Sequence, residues 1–174
     1  YFSHHPEITM VHWGTYCDDS EGLDLFTEDG NPLASYYALM IYQNMPVDRV
    51  QASSALENVK VMASCDGKEA GVVLWNIGES EEEISLVIEG IPGTDGTLEI
   101  YRIDTEHASV WENEASVYEP VEGYENVSAT ALTWKGQIPA NGTVYICWKD
   151  AGTEAEDEKE SQIGEVIRKD YYYA

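Results

Sequence analysis

The sequence predicts a mainly β protein: an antiparallel β-sandwich of about seven to nine strands, preceded by one strand-loop-helix unit. Three observations carry this. From residue 59 to residue 149, short segments rich in Val, Ile, Leu, Tyr and Trp are separated by Gly-containing turns, the punctuation of an all-β domain. Residues 33–45 hold a sustained helical period. Upstream of that helix, residues 8–14 form an apolar run that reads as a buried strand. An all-α or doubly wound fold does not fit this order.

The elements follow in sequence. After the run Ile8-Thr9-Met10-Val11-His12-Trp13-Gly14, an apolar-polar stretch from Leu23 to Phe26 meets an Asp29-Gly30 turn. Asn31 then stands at an N-cap position, with Pro32 at the first helical position. Leu33, Tyr36, Tyr37, Met40 and Ile41 recur at helical spacing until Pro46 stops the run. One such β/α unit cannot close a core. Its apolar face (Tyr36, Tyr37, Met40, Ile41) needs a partner, either the following sandwich or protein outside this chain.

Beyond Pro46 the period changes. Residues 59–65 alternate as a strand, Asp66-Gly67-Lys68 turns, and residues 71–77 return, so the pair predicts a hairpin. Residues 83–89 place Ile84, Leu86 and Ile88 on one face, and residues 97–103 place Leu98 and Ile100 opposite Tyr101 and Ile103. Residues 127–134 and 143–149 complete the set, with Asn141-Gly142 as a hairpin signal leading into the last strand. The stretch 104–126 is long, acidic and weakly periodic, and predicts a loop or irregular crossover between sheets. The expected organisation is a terminal β/α unit over 1–46, a sandwich over 47–149 and an acidic tail or linker over 150–174. In that tail Ile163, Val166 and Ile167 fit one helical turn, and Tyr171-Tyr172-Tyr173 suits docking better than free solvent.

Composition bounds the function. With 33 acidic against 9 basic residues and a formal net charge of −24, phosphate and anionic membrane surfaces repel the chain, which excludes nucleic acid as a partner. No run of 18 apolar residues occurs, so no membrane insertion is expected, and the missing initiator Met and signal peptide point to a processed, truncated or partial chain. Twelve Tyr and 5 Trp against 2 Phe favour side chains with an apolar face and a polar edge, which suits carbohydrate contact as well as strand packing. Cys17, Cys65 and Cys147 are too few and too scattered for a disulfide framework or a zinc site, although Cys65 and Cys147 could bridge if they met across the sandwich. His4, His5 and His12 lack helical ligand spacing, and no calcium-loop pattern is present, so no metal or cofactor is expected.

At this point the order of motifs carries a resemblance. A strand ending in Trp13, the loop and helix "GLDLFTEDGNPLASYYAL", then "VMASCDGKEAGVVLWNI", "GTLEIYRIDTEHASVW" and "IPANGTVYICW" together resemble the end of a family 39 glycoside hydrolase. The resemblance covers residues 8–149. It implies the eighth β/α unit of a (β/α)8 barrel followed by the C-terminal β-sandwich of β-xylosidase-like enzymes. It also implies the departure that matters most. In those enzymes the acid/base and nucleophile glutamates lie on earlier barrel strands, and glycoside hydrolysis needs two carboxylates held about 5 to 10 Å apart. A lone eighth unit supplies no such pair, so this chain by itself is expected to be non-catalytic.

The candidate sites follow from both readings. By the resemblance, Trp13 is a sugar platform at the barrel mouth; by packing alone it is a core or interface Trp. Trp111, Tyr118 and Tyr124 lie in the long loop with Glu112, Asn113, Glu114 and Asn126 nearby, the aromatic-plus-polar set that stacks on pyranose rings and binds their hydroxyls. Their alternative is to cap the sandwich. Trp75, Trp134 and Trp148 sit within strands and predict core packing. Asp104 and His107 suggest a triad-like pairing, but no nucleophile-elbow Ser accompanies them. Asn126-Val-Ser and Asn141-Gly-Thr match the glycosylation acceptor pattern, which matters only for a eukaryotic secretory source.

The expectation is therefore a secreted or cell-surface accessory region that stabilises the barrel of a polysaccharide-degrading enzyme. Its partners would be that barrel domain and a plant-type polysaccharide. An independent carbohydrate-binding module and a surface-assembly protein docking through its tail are the alternatives.

Overall fold

The computed structural model describes residues 24–91, 95–108, 117–125, 127 and 131–151. Helix α1 (Ala34–Asn44) precedes eight strands: β1 (Arg49–Val50), β2 (Val59–Cys65), β3 (Glu69–Asn76), β4 (Glu82–Glu89), β5 (Gly96–Ile103), β6 (Glu122–Tyr124), β7 (Ala131–Ile138) and β8 (Thr143–Asp150). Six strands form one sheet in the order β1-β2-β3-β8-β5-β6, and β4 pairs with β7 in a second sheet. All pairings are antiparallel. The mainly β prediction holds.

The β2–β3 turn shows how local chemistry sets register. Asp66 Oδ1 accepts the backbone N–H groups of Lys68 and Glu69 at 2.7 and 2.8 Å, closing an Asx-type turn. Cys65 then pairs with Ala70 and Val59 with Asn76. The Asn141-Gly142 turn behaves differently from the hairpin its sequence suggests. Asn141 takes φ +59° and Gly142 N–H bonds Pro139 O, yet β7 pairs with β4 while β8 pairs with β3 and β5. The turn is a corner between the two sheets.

Asn76 secures that corner. It is buried, its Nδ2 donates to Ser80 O, Ile138 O and Pro139 O, and its Oδ1 accepts Gly78 N–H at 2.8 Å. One amide thus ties the end of β3, the turn after it and the end of β7, satisfying backbone groups that would otherwise be buried without partners.

Both faces of the six-stranded sheet are buried. On β8, Val144, Ile146 and Trp148 point inward, where Ile84, Trp134 and Ile138 of the small sheet meet them. Tyr145 and Cys147 point outward, into a second cluster with Met62, Val73, Ile103, Ile41 and Met45. Strands covered on two sides are apolar throughout, which is why β8 reads Val-Tyr-Ile-Cys-Trp with no polar interruption. Inside, the indoles of Trp148 and Trp134 lie against glycines. A Cβ on Gly96 would stand 2.4 Å from the Trp148 ring, and one on Gly136 would stand 2.3 Å from the Trp134 ring. No other residue fits at either position without displacing a core indole.

Helix α1 packs on the outer face through Ala34, Tyr37, Ile41 and Met45, a spacing of three, four and four that forms one helical stripe. The expected face, with Tyr36 and Met40 in the contact, is rotated from this by part of a turn. The helix also starts later than Asn31-Pro32 suggests. Its N-cap is Leu33, without a side-chain cap. Asn31 is used elsewhere: its N–H bonds Thr27 Oγ1 and its C=O accepts Thr27 N–H. Pro32 forms an antiparallel bridge with Phe26, flanked by bonds from Thr27 N–H to Asn31 O and from Leu33 N–H to Leu25 O. That register asks nothing of the Pro32 nitrogen, so a residue without an N–H fits there.

The strand limits differ from the sequence expectation mainly at β7, which runs to Ile138, and at the short strands β1 and β6, which the period does not reveal. Two residues and three residues cannot display an alternation. Part of the 104–126 stretch returns to the same sheet. Val121 N–H bonds Ile100 O, and β6 pairs with β5.

Candidate functional site

The outer face carries the densest chemistry among the described residues. Tyr37 of α1, Tyr118 of the 117–121 segment and Tyr101 of β5 stack face to face. The Tyr37–Tyr118 centroids are 4.9 Å apart at 16°, and the Tyr118–Tyr101 centroids 4.8 Å apart at 21°. Tyr145 adds a tilted contact to Tyr101 at 6.1 Å, and Tyr36 joins Tyr37 to Phe26 at the far end. Helix, loop and sheet are held together by rings whose geometry is specific, beyond the area they bury.

Polar groups line the stack. Tyr101 Oη donates to Glu99 Oε2 at 2.9 Å, and the buried Cys147 thiol lies 4.0 Å from the same oxygen. Burial and the neighbouring Glu99 carboxylate push the Cys147 thiol up to about 12. Burial, and then the bond to Glu99, raises the Tyr101 hydroxyl above its ordinary value, and burial raises Tyr118 and Tyr145. At neutral pH every one of these groups is protonated. The thiol is therefore a packing group rather than a nucleophile.

Cys65 and Cys147 do not meet. They lie in the same sheet with β3 between them, since Cys65 pairs with Ala70 and Cys147 with Gly71, and both are free thiols. A strand-to-strand step is about 4.8 Å, so a bridge across an intervening strand is out of reach.

The aromatic residues expected at a sugar site are placed as follows. Trp13 and Trp111 lie outside the described residues. Tyr118 has tyrosines on both ring faces. Tyr124, on the edge strand β6, is 49% exposed, and its Oη donates to Glu122 Oε2 at 2.8 Å, a bond that raises the hydroxyl's pKa. Trp134 and Trp148 are core, as expected, while Trp75 is half-buried on the outer face.

Asp104 and His107 do pair, with Nδ1 and Oδ1 2.8 Å apart. Asp104 Oδ1 also accepts the N–H groups of Glu106 and His107, and Asp104 N–H bonds His107 O. The pair closes the turn after β5, where Ala108 takes φ +56° and is fully buried. No group of three or more metal-ligating side chains occurs among the described residues. A cavity of about 350 Å³ lies beside β2, lined by Ala52, Ser53, Ser54, Leu56, Val59 and Val61 among others, and it carries no aromatic platform.

Two contributors escaped the sequence reading. The tyrosine stack joins residues far apart in the chain and has no local signal. Asn76 does have one, since it ends a strand in "Trp-Asn", but that dipeptide alone does not say which carbonyls the amide will reach.

No protein-family model and no curated protein matches the chain. Solved structures do. The chain is similar to the GH39 enzyme from Xanthomonas axonopodis pv. citri, with a TM-score of 0.58, 10% identity, and coverage of 75% of this chain and 33% of that one. It is similar to a glucosidase from Croceicoccus marinus (TM-score 0.59, 13% identity, 76% and 34%). It is also similar to a monomeric beta-xylosidase from Caulobacter crescentus (TM-score 0.58, 12% identity, 75% and 33%). Its structural neighbours are glycoside hydrolases. At these identities the likeness is one of fold, and the chain spans about a third of the length of the enzymes it matches. Among the described residues no helix is long and apolar enough to cross a membrane.

Proposed function

We propose that this chain is the non-catalytic β-sandwich accessory region of a polysaccharide-degrading glycoside hydrolase, where it stabilises the barrel that carries the catalytic carboxylates. One observation supports the reading above the others: three-quarters of this chain aligns with glycoside hydrolases that are three times as extensive as the aligned part. The aromatic, uncharged helix at the sandwich surface adds to it, and a secreted or cell-surface location follows from a polymeric substrate. The coding sequence upstream of Tyr1 tests the reading. It should encode about 250 to 300 residues of β/α pattern with two Glu-bearing strand ends. The longer polypeptide should cleave aryl glycosides while residues 1–174 alone do not. A coding sequence that opens at Tyr1, or an unrelated upstream domain, ends it.

Tyr124 favours a second reading, an independent glycan-binding module. Its ring is exposed, oriented by Glu122 and set on a sheet edge. Retardation of the chain in xylan-containing affinity gels, abolished by Tyr124→Ala, supports that reading; equal mobility of both proteins removes it.

A further inference from the structure

Helix α1 is apolar on two sides. Its stripe of Ala34, Tyr37, Ile41 and Met45 is packed on the sheet. Turning 100° per residue, Tyr36, Leu39 and Met40 face away from that contact. Leu39 is 44% exposed, its neighbour Tyr42 is 54% exposed, and Tyr36 is half-buried against Phe26 at 4.8 Å. The helix, Ala-Ser-Tyr-Tyr-Ala-Leu-Met-Ile-Tyr-Gln-Asn, contains no charged residue, in a chain whose residues are 24% charged and whose net charge is −24. A surface helix normally places its charges on the side away from the core. The absence of charge on both sides of α1 is the mark of a helix buried on both.

We propose that residues 8–14 of the same chain cover this outward face. The segment Ile-Thr-Met-Val-His-Trp-Gly is apolar and carries no carboxylate, Lys or Arg, so it matches the chemistry of the face. The path is short. Asp24 and Leu25 run beside the first turn of the helix, where the Asp24 carbonyl accepts the Ser35 hydroxyl and the Leu25 carbonyl accepts Leu33 N–H. Residues 15–23 can reach about 30 Å when extended, and an 11-residue helix is about 16 Å long. The connection is ample. A seven-residue strand of about 23 Å spans the whole helix.

The other candidate occupants fit less well. Residues 152–174 open with Glu154, Glu156, Asp157, Glu158 and Glu160, and charged groups brought against an uncharged apolar face lose hydration without a partner. A second copy brings another 24 negative charges to the contact. The inference concerns this chain alone, and it stands whether or not a catalytic barrel precedes it.

The test is photocrosslinking in the full 174-residue chain, with p-benzoylphenylalanine replacing Leu39 and, in a second variant, Met40. Far-UV circular dichroism identifies the folded variants. Irradiation should join the probe to a peptide from residues 8–14 within one chain, with a yield unchanged by tenfold dilution. Adducts to residues 152–174, a dimer band that fades on dilution, or no protein adduct from either folded variant would each overturn the proposal. Because the readout is internal to the chain, a failure here leaves the upstream-sequence test of the glycoside-hydrolase reading untouched.

Discussion

On the inner face of the six-stranded sheet, Val144, Ile146 and Trp148 meet the aliphatic side chains of a two-stranded sheet, whereas on the outer face Tyr145 and Cys147 meet a helix and a tyrosine stack. The inner contact is held by non-directional burial, with Asn76 as its one polar tie. The outer contact is held by ring geometry and by hydroxyls that need partners. The first therefore sets how stable the domain is, and the second sets where α1 sits. The same strand serves both because alternate residues of β8 belong to different cores.

That division can be tested by perturbing each face in turn. Ile100 is fully buried on the inner face, and Ile100→Ala should cost about 4 kcal/mol, from lost transfer energy plus the cavity left behind; urea denaturation checks it. The outer face should instead reveal itself in alkali. Cys147 has a thiol pKa raised from 9.0 to about 12 in the folded chain, so the protonated thiol favours the folded state. Its contribution is complete below about pH 9 and is lost as pH rises toward 12, a decline of the order of 3 kcal/mol. The raised hydroxyls of Tyr101, Tyr118 and Tyr145 act in the same direction. Cys147→Ala should flatten that decline in thermal melts taken from pH 8 to pH 11.

A smaller effect is expected at the corner. Asn76→Ala should cost about 2 kcal/mol by orphaning Gly78 N–H and three carbonyls, and hydrogen exchange should quicken at Gly78. Tyr118→Leu keeps apolar volume but removes two ring stacks, so about 1 kcal/mol is expected. The larger signal should be faster exchange of α1 amides with β2–β3 amides unchanged. Least of all, Tyr124→Ala on the exposed edge should leave the urea midpoint within about 0.5 kcal/mol of the parent. A loss above 2 kcal/mol there would mean that β6 belongs to the core.

Much of the fold was legible in the chain. The Asp66-Gly67-Lys68 hairpin, β4, β5 and the last strand stand close to where their periods place them, because alternation and turn chemistry act within a few residues. Less of the candidate site was legible. Tyr118 lies in an acidic stretch that suggests an exposed loop, yet it is clamped between rings from α1 and β5, contacts that no local period encodes. The Asn141-Gly142 turn has hairpin chemistry but joins strands of different sheets, since the choice was made by Asn76 from across the corner.

The sequence by itself determined the secondary elements and their chemistry: strand period, turn residues, the uncharged helix and the cysteine count. Those are local or compositional properties. Only the tertiary structure decided which face of α1 is packed, that Cys65 and Cys147 are kept apart by β3, and that β8 is buried on both sides. Such outcomes depend on which strands become neighbours, and that choice is made by the sum of many long-range contacts rather than by any one segment.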